Sequence, residues 1–332
     1  MTTAVVIGRF QPFHNGHLGL LRRAADFGER VVVVLGSAGA SSSPRNPFSA
    51  AEREEMIRRG VPSQLEARLS FVRQRDLWDS ARWAAAVRVQ VERQHPGPVS
   101  LVGYHKDSSS AYLDLFPGWT PVEAGRQGSW DATPLRERIL SRDPWSAVRA
   151  DLSGNLPDPV LAWLDSWAGG ERRAILAEDA RCIAEYRAKW GEGPFLTVDA
   201  LVRCAGRILV IERGNRPGRG LLALPGGFLE PSEPLEAGAR RELQEETGLS
   251  VDGIHPAESR WFDHPGRSLR ARILTCAFRY DLPGDALPAV SGGDDAGGAR
   301  WMDLAEIRSC EDRFFEDHFH ILTTLSGIEL PN

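Results

Sequence analysis

Lysine is nearly missing from this chain. Of its 40 basic residues only Lys106 and Lys189 are lysines, so a site that needs a flexible ammonium has two candidates. Cysteine is scarce as well. Cys182, Cys204, Cys276 and Cys310 stand far apart with no CxxC pair, which argues against a zinc site and against a disulfide framework. No run approaches the ~20 apolar residues of a membrane span, and Met1 to Phe10 lacks a basic region followed by an apolar stretch. The expectation is a cytoplasmic protein with no membrane partner. An excess of positive charge is missing too: the formal net charge is −5, which speaks against a nucleic-acid footprint. Small anionic ligands must then be held by local clusters. What is present is ordinary globular composition, 42% apolar and 26% charged. A length of 332 residues exceeds what one core usually organises and predicts two domains.

Thr3 to Ile7 is a short β-branched apolar run ending at Gly8; Leu18, Leu21, Ala24 and Ala25 follow at helical spacing, and Arg30 to Leu35 is a second apolar run. Helical stretches at 49–59 and 79–93 alternate with strands near 69–72 and 99–102. This alternation predicts a doubly wound, mostly parallel sheet of Rossmann type. Between Asp143 and Trp190, Pro144, Pro157, Pro159 and the Gly169–Gly170 pair interrupt an otherwise helical stretch. The boundary is placed near Gly170, giving domains 1–170 and 171–332. Residues 171–190 are either a connecting helix or the second domain's first element. Beyond them strands are predicted at 195–203, 207–212 and near 269–280, with one strong helix at 234–247, the pattern of an α/β/α sandwich.

The first strand runs into Gly8-Arg9-Phe10-Gln11-Pro12-Phe13-His14-Asn15-Gly16-His17, where a helix begins. Ligands of open α/β sheets bind outside the carboxyl ends of strands, and a helix N-terminus there offers N–H donors to phosphate. Two histidines flanking a glycine can donate to polyphosphate oxygens while the backbone comes close. The segment resembles the HxGH signature of the nucleotidylyltransferase superfamily, and the archaeal-type nicotinamide mononucleotide adenylyltransferases in particular. Further matches are Arg45-Asn46-Pro47-Phe48-Ser49 with Glu52-Arg53, then Gly103-Tyr104-His105-Lys106-Asp107-Ser108-Ser109, and Thr133-Pro134-Leu135-Arg136, which resembles a terminal SxTxxR.

That resemblance implies that Gly8, Arg9, Phe10, His14, Gly16 and His17 contact ATP, that Thr133 and Arg136 hold its phosphates, and that Arg45 reaches toward the reacting groups. It implies catalytic roles for His14, His17, Arg45 and Arg136, and a mononucleotide site at Asp76, Ser80, Trp83 and Lys106. Ser80 departs from the family pattern, which usually has Asn there, and so lacks an amide donor. Trp83 has two readings, a stacking platform or a core residue of an amphipathic helix.

The second half carries Gly227, then Glu233, then Arg241-Glu242-Leu243-Gln244-Glu245-Glu246-Thr247-Gly248-Leu249. This is similar to the Nudix box, GX5EX7REUXEEXGU, at each fixed position. On a helix, residues three and four apart share a face, so Glu242, Glu245 and Glu246 direct three carboxylates to one side. A hard divalent cation, Mg²⁺ or Mn²⁺, would neutralise them, and Glu245 and Glu246 are also candidate catalytic residues. Gly227 is expected in a tight turn, Gly248 at the helix end, and Arg241 paired with Glu233. Trp261 to Arg270 resembles the ADP-ribose pyrophosphatase branch, which implies that Arg267 and Arg270 bind ADP-ribose phosphates; both are otherwise surface arginines. The branch's general base lies in a late loop, and Asp295 is the candidate.

Together these resemblances imply an enzyme that joins ATP and nicotinamide mononucleotide into NAD and that hydrolyses ADP-ribose to AMP and ribose 5-phosphate. A pyridine-nucleotide or ADP-ribose sensor, and transfer to another phosphorylated acceptor, are the alternatives. Homo-oligomerisation stays open.

Overall fold

The computed structural model describes residues 2–104, 113–125, 130–293 and 296–328. The chain divides into two compact units, 1–177 and 178–332.

In the first unit the described elements are β1 (Thr3–Gly8), α1 (Asn15–Ala24), β2 (Arg30–Leu35), α2 (Ala50–Gly60), α3 (Ser63–Glu66), β3 (Leu69–Arg73), α4 (Ser80–Gln94), β4 (Val99–Gly103), β5 (Thr120–Glu123), α5 (Ala132–Ile139), α6 (Trp145–Leu152) and α7 (Asp158–Ala168). The five strands are parallel, in the order β3-β2-β1-β4-β5. Their valine runs are buried on both faces, and the period of two sorts them. Ala4, Val6, Val31 and Val33 enter one core with α1, α2 and α5–α7, while Val5, Ile7, Val32 and Val34 enter the other with α4. The strand order reverses at β1, whose carboxyl end is therefore the sheet's switch point.

The prolines expected to interrupt the following stretch instead start its helices, Pro144 as the N-cap of α6 and Pro157 as that of α7. A fixed φ and a missing N–H cost little there, because the first N–H groups of a helix have no internal partner. Val160, Leu161 and Leu164 of α7 complete the core beneath α2. The helix that follows, α8 (Glu171–Trp190), contains the division between the units.

The second unit contains β6 (Phe195–Cys204), β7 (Arg207–Arg213), β8 (Leu222–Ala223), β9 (Gly226–Phe228), α9 (Leu235–Thr247), β10 (Glu258–Phe262), β11 (Ile273–Asp281), β12 (Ala296–Asp303), α10 (Leu304–Arg308) and α11 (His318–Ser326). Its mixed sheet runs β10-β11-β6-β7-β12, parallel only between β11 and β6, with β8 beside β7 and β9 beside β6. Alternate residues of β6 again face opposite ways. Val198, Ala200 and Val202 meet Ala239 and Leu243 of α9, while Leu201 shares a core with Phe319 and Leu322 of α11. This is the expected sandwich. The strand expected from 269 begins at Ile273 instead, because Leu269 is tied as a loop residue by its N–H to Glu316 (2.9 Å). No described helix is long and apolar enough to cross a membrane.

Candidate active sites

At the switch point the chain leaves β1 through Gly8, Arg9 and Phe10. A Cβ at Gly8 would stand 3.2 Å from the Phe10 ring, so glycine gives the ring room to fold back. Phe10 itself is left-handed (φ 52°) and its buried ring lies 4.7 Å from that of His17. His14 caps α1 by accepting the His17 N–H at Nδ1 (3.3 Å), and His17 Nδ1 accepts the His14 N–H in return (3.3 Å). The rings stack with centroids 3.6 Å apart. This capping box, built from two histidines, fixes both imidazoles with Nδ1 as acceptor and the proton on Nε2. Burial, and then His14, hold His17 well below the usual histidine range, with the Pro12 carbonyl opposing. Gly16 eases the packing of the His14 ring, which a Cβ would approach to 3.1 Å.

Arginines gather at the same strand end. Burial, followed by repulsion from Arg45, lowers the Arg9 pKa, with Asp76 and Asp131 opposing. Arg136 is pushed down to about 10 by burial and then by Arg9 and Arg45. Its guanidinium donates to the Gln11 carbonyl (2.9 Å) and to Thr133 Oγ1 (3.0 Å). Nη1 of Arg9 is buried with no hydrogen-bond partner. Three mutually repelling guanidinium groups and an orphaned donor, gathered at one strand end, have the chemistry that suits a polyanion. Asp131 caps α5 by accepting the Thr133 N–H (3.0 Å), so that amide is already satisfied.

Asp76 belongs electrostatically to this cluster, through Arg9. Ser80 is the exposed first residue of α4, behind the N-cap Asp79. Trp83 is half-buried and sets its ring edgewise against Phe116, centroids 6.4 Å apart. Lys106, with His105 and Asp107 to Ser109, lies outside the described residues. Two residues without an expected role matter here. Buried Gln11 pairs both ends of its amide with the Phe48 backbone (2.7 and 3.0 Å), joining the β1 loop to the loop of Arg45. Arg53, 1% exposed, donates to backbone carbonyls from below.

In the second unit Arg241 is the hub of the box. It contacts Glu233 (2.8 and 3.1 Å), Glu242 (2.9 Å), Glu245 (2.9 Å) and the Phe228 carbonyl (3.2 Å). Gly248 ends α9 with φ 69°, as expected. Gly227 is not in a tight turn. It lies in β9, and its Cβ would fall 2.4 Å from Glu242 Oε1, so glycine lets that carboxylate come close to the backbone. Glu246 is buried and accepts the Gly226 N–H (2.9 Å); burial first, then Glu242 and Asp199, push its carboxyl up to about 8. Burial also raises Glu242.

Among the described residues no three His, Cys, Asp or Glu side chains converge as an ion cage, and Arg241 bridges Glu242 and Glu245 instead. The donor chemistry nevertheless fits a divalent cation. These are hard carboxylate oxygens held against a strand by a glycine cradle, and their crowded charge is costly without a counter-ion.

Arg267 is neither at the surface nor available on two of its nitrogens. It is 6% exposed and forms a two-pronged pair with buried Asp317 (2.9 Å each). Arg270 is held more loosely: its guanidinium lies over Phe315 (5.5 Å) and Phe228 (5.9 Å) and pairs with Glu316 at 3.6 Å, and its buried Nε has no hydrogen-bond partner. Asp295 lies outside the described residues. The loop leading to it starts beside the box helix, where the Gly293 N–H donates to the Glu246 carbonyl (3.1 Å). Asp199, buried on β6 and bonded by Thr275 (2.5 Å), carried no sequence signal.

Comparison with known proteins assigns the two units separately. A cytidylyltransferase-like family model matches residues 5–76, and a NUDIX domain model matches residues 194–325. The chain is 41% identical over 139 residues to a nicotinamide/nicotinic acid mononucleotide adenylyltransferase of Acinetobacter baylyi, covering 40% of this chain and 72% of that one. It is 37% identical over 119 residues to an ADP-ribose pyrophosphatase of Methanocaldococcus jannaschii, covering 34% of this chain and 64% of that one. A bifunctional NMN adenylyltransferase/ADP-ribose pyrophosphatase of Francisella tularensis, solved with AMP and a manganese ion, superposes with a TM-score of 0.85 at 28% identity, covering 98% of both chains.

Proposed function

Because the chain belongs to the nicotinamide-nucleotide adenylyltransferase family and carries a NUDIX domain behind that unit, we propose that it makes NAD in one site and removes ADP-ribose in the other. The observation that carries the reading is the pairing, in one chain, of an arginine–histidine cluster at a parallel-sheet switch point with a carboxylate helix behind a glycine cradle.

In the first site Arg9, Arg45 and Arg136, with Thr133, hold the ATP phosphates, while Gly8, Phe10 and Gly16 let the backbone and the rings close around the nucleotide. The phosphate of nicotinamide mononucleotide, seated near Asp76, Ser80, Trp83 and Lys106, attacks the α-phosphorus in line. One P–O bond forms, the bond to the β-phosphate oxygen breaks, and pyrophosphate leaves. His14 and His17, protonated on Nε2, donate toward the oxygens that gain charge.

In the second site Glu242, Glu245 and Glu246 would hold a divalent cation, magnesium in the cell. Such an ion polarises the pyrophosphate and lowers the pKa of water. Arg270 binds a substrate phosphate through its unpartnered Nε, Arg241 and Glu233 keep the box loop against the helix, and Asp295 accepts the proton of the attacking water. Arg267 orders the wall behind them. The reaction releases AMP and ribose 5-phosphate, and the enzyme works in the cytoplasm.

The test is a substrate panel on purified protein: mononucleotides offered with ATP, and nucleoside diphosphate derivatives offered with magnesium. Nicotinamide mononucleotide and ADP-ribose should be the best substrates. Tight ADP-ribose binding without cleavage would replace the hydrolase with a sensor, and preference for another acceptor would replace the first activity.

A further inference from the structure

Arg53 heads the largest fully buried side chains among the described residues, and its hydrogen bonds go to backbone carbonyls rather than to a carboxylate. It stands one turn into α2, whose start is fixed by the Ser49–Glu52 capping box. A helical side chain leans toward the N-terminus of its helix, and here it reaches the strand ends. Nη1 donates to the carbonyls of Arg9 (2.8 Å) and Gly36 (2.7 Å), Nη2 to that of Ser37 (3.3 Å), and Nε to that of Ser49 (3.3 Å).

Those acceptors belong to three different segments. Arg9 follows β1, Gly36 and Ser37 follow β2, and Ser49 opens α2. Ser37 is left-handed (φ 49°), so its carbonyl is turned away from the direction the strand would give it. The first segment carries the Arg9 guanidinium; the chain between the second and the third carries Arg45. Burying a guanidinium costs several kcal/mol unless its donors are satisfied. A fold that only needed to close these loops could do so with apolar contacts. Burial first, and then Arg9, push Arg53 down to about 10, with Asp76 and Glu54 opposing.

We propose that Arg53 is a positioning residue for ATP: it touches no substrate, but sets the spacing of the Arg9 and Arg45 backbones and so the fit of the site to the triphosphate. The inference rests on the adenylyltransferase reading given above. A lysine in its place would keep the charge but not the planar fork that spans four carbonyls. Of the mononucleotide residues, Ser80 and Trp83 come from α4, which Arg53 does not touch, whereas Asp76 faces Arg53 electrostatically.

The experiment compares wild type with Arg53→Lys and Arg53→Gln in the full chain, reading KM for each substrate, ATP affinity by calorimetry, thermal melting and ADP-ribose hydrolysis. The expected result is a rise of about ten- to a hundred-fold in ATP KM and Kd, since small misplacements of phosphate-binding groups have effects of that order. The mononucleotide KM should rise clearly less than that for ATP, and hydrolysis should be unchanged. Lower melting temperatures with unchanged ATP Kd would overturn the proposal and leave Arg53 a structural residue. Loss of both activities together would overturn it as well, by showing a collapse of the fold. If wild type binds ATP but makes no dinucleotide, the acceptor assignment fails, while ATP Kd still reports on Arg53.

Discussion

His14 and His17 cap each other: each Nδ1 accepts the other's backbone N–H at 3.3 Å. The residues proposed to steady the transferring phosphate therefore also start the helix that carries them. The two roles are separable. Gln at the third helical position can rebuild a capping box, so His17→Gln should melt near wild type, whereas His17→Ala should lose about 1 kcal/mol. Both should lower dinucleotide synthesis by roughly 100-fold. Synthesis that tracks stability across the two variants would show that His17 serves only the helix.

The same arrangement sets a pH dependence. Because burial, then His14, lower the folded-state pKa of His17, its contribution to stability is complete above the unfolded value of ~6.5 and is lost as pH falls through the lower folded value. Melting temperature should therefore drop on acidification below ~6.5, and by less in His17→Gln. Synthesis should not decline as pH rises through 6.5, since the neutral imidazole is the working form. A decline there that His17→Gln abolishes would mean that an imidazolium is required.

Arg267 and Arg270, three residues apart, should respond in opposite ways. Asp317→Asn leaves the buried Arg267 without its counter-ion and should cost about 3–5 kcal/mol in denaturant unfolding. Arg270→Ala removes a cation that pairs only at 3.6 Å with Glu316 and whose Nε has no partner, so it should cost less in unfolding than Asp317→Asn and should weaken ADP-ribose binding. An Arg270 variant with full affinity would take that residue out of the site.

Trp83→Ala should raise the KM for the mononucleotide more than that for ATP, because a stacked ring contributes to binding the ring it covers. The edgewise contact with Phe116 gives the competing outcome: a large fall in melting temperature with unchanged KM would make Trp83 a core residue.

What could be read from the sequence was local. The valine runs of β1 and β2 alternate between two cores, and period two shows this without a structure. The box helix was legible because Arg241, Glu242 and Glu245 lie within one turn. The pairings that the sequence does not show act across the chain. Gln11 meets Phe48 over 37 positions, Arg53 meets Arg9 over 44, and Arg267 meets Asp317 over 50. No periodicity reports such pairs, and a buried arginine reads as a surface one until its acceptors are known. Gly227 shows the reverse error: its glycine was evident, but the carboxylate that it lets come close was not.

The central claim is two independent sites in one chain, and it is tested most directly by assaying His17→Ala and Glu246→Gln for both reactions on the same preparations, with Glu230→Gln as control. Glu246 is buried on the box helix, whereas Glu230 is exposed in the loop before it. The account predicts that His17→Ala loses synthesis by roughly 100-fold and keeps hydrolysis, while Glu246→Gln loses most hydrolysis with its magnesium dependence and keeps synthesis. Glu230→Gln should keep both. Equal loss of both reactions in either variant, or a larger hydrolytic defect in Glu230→Gln than in Glu246→Gln, would contradict it.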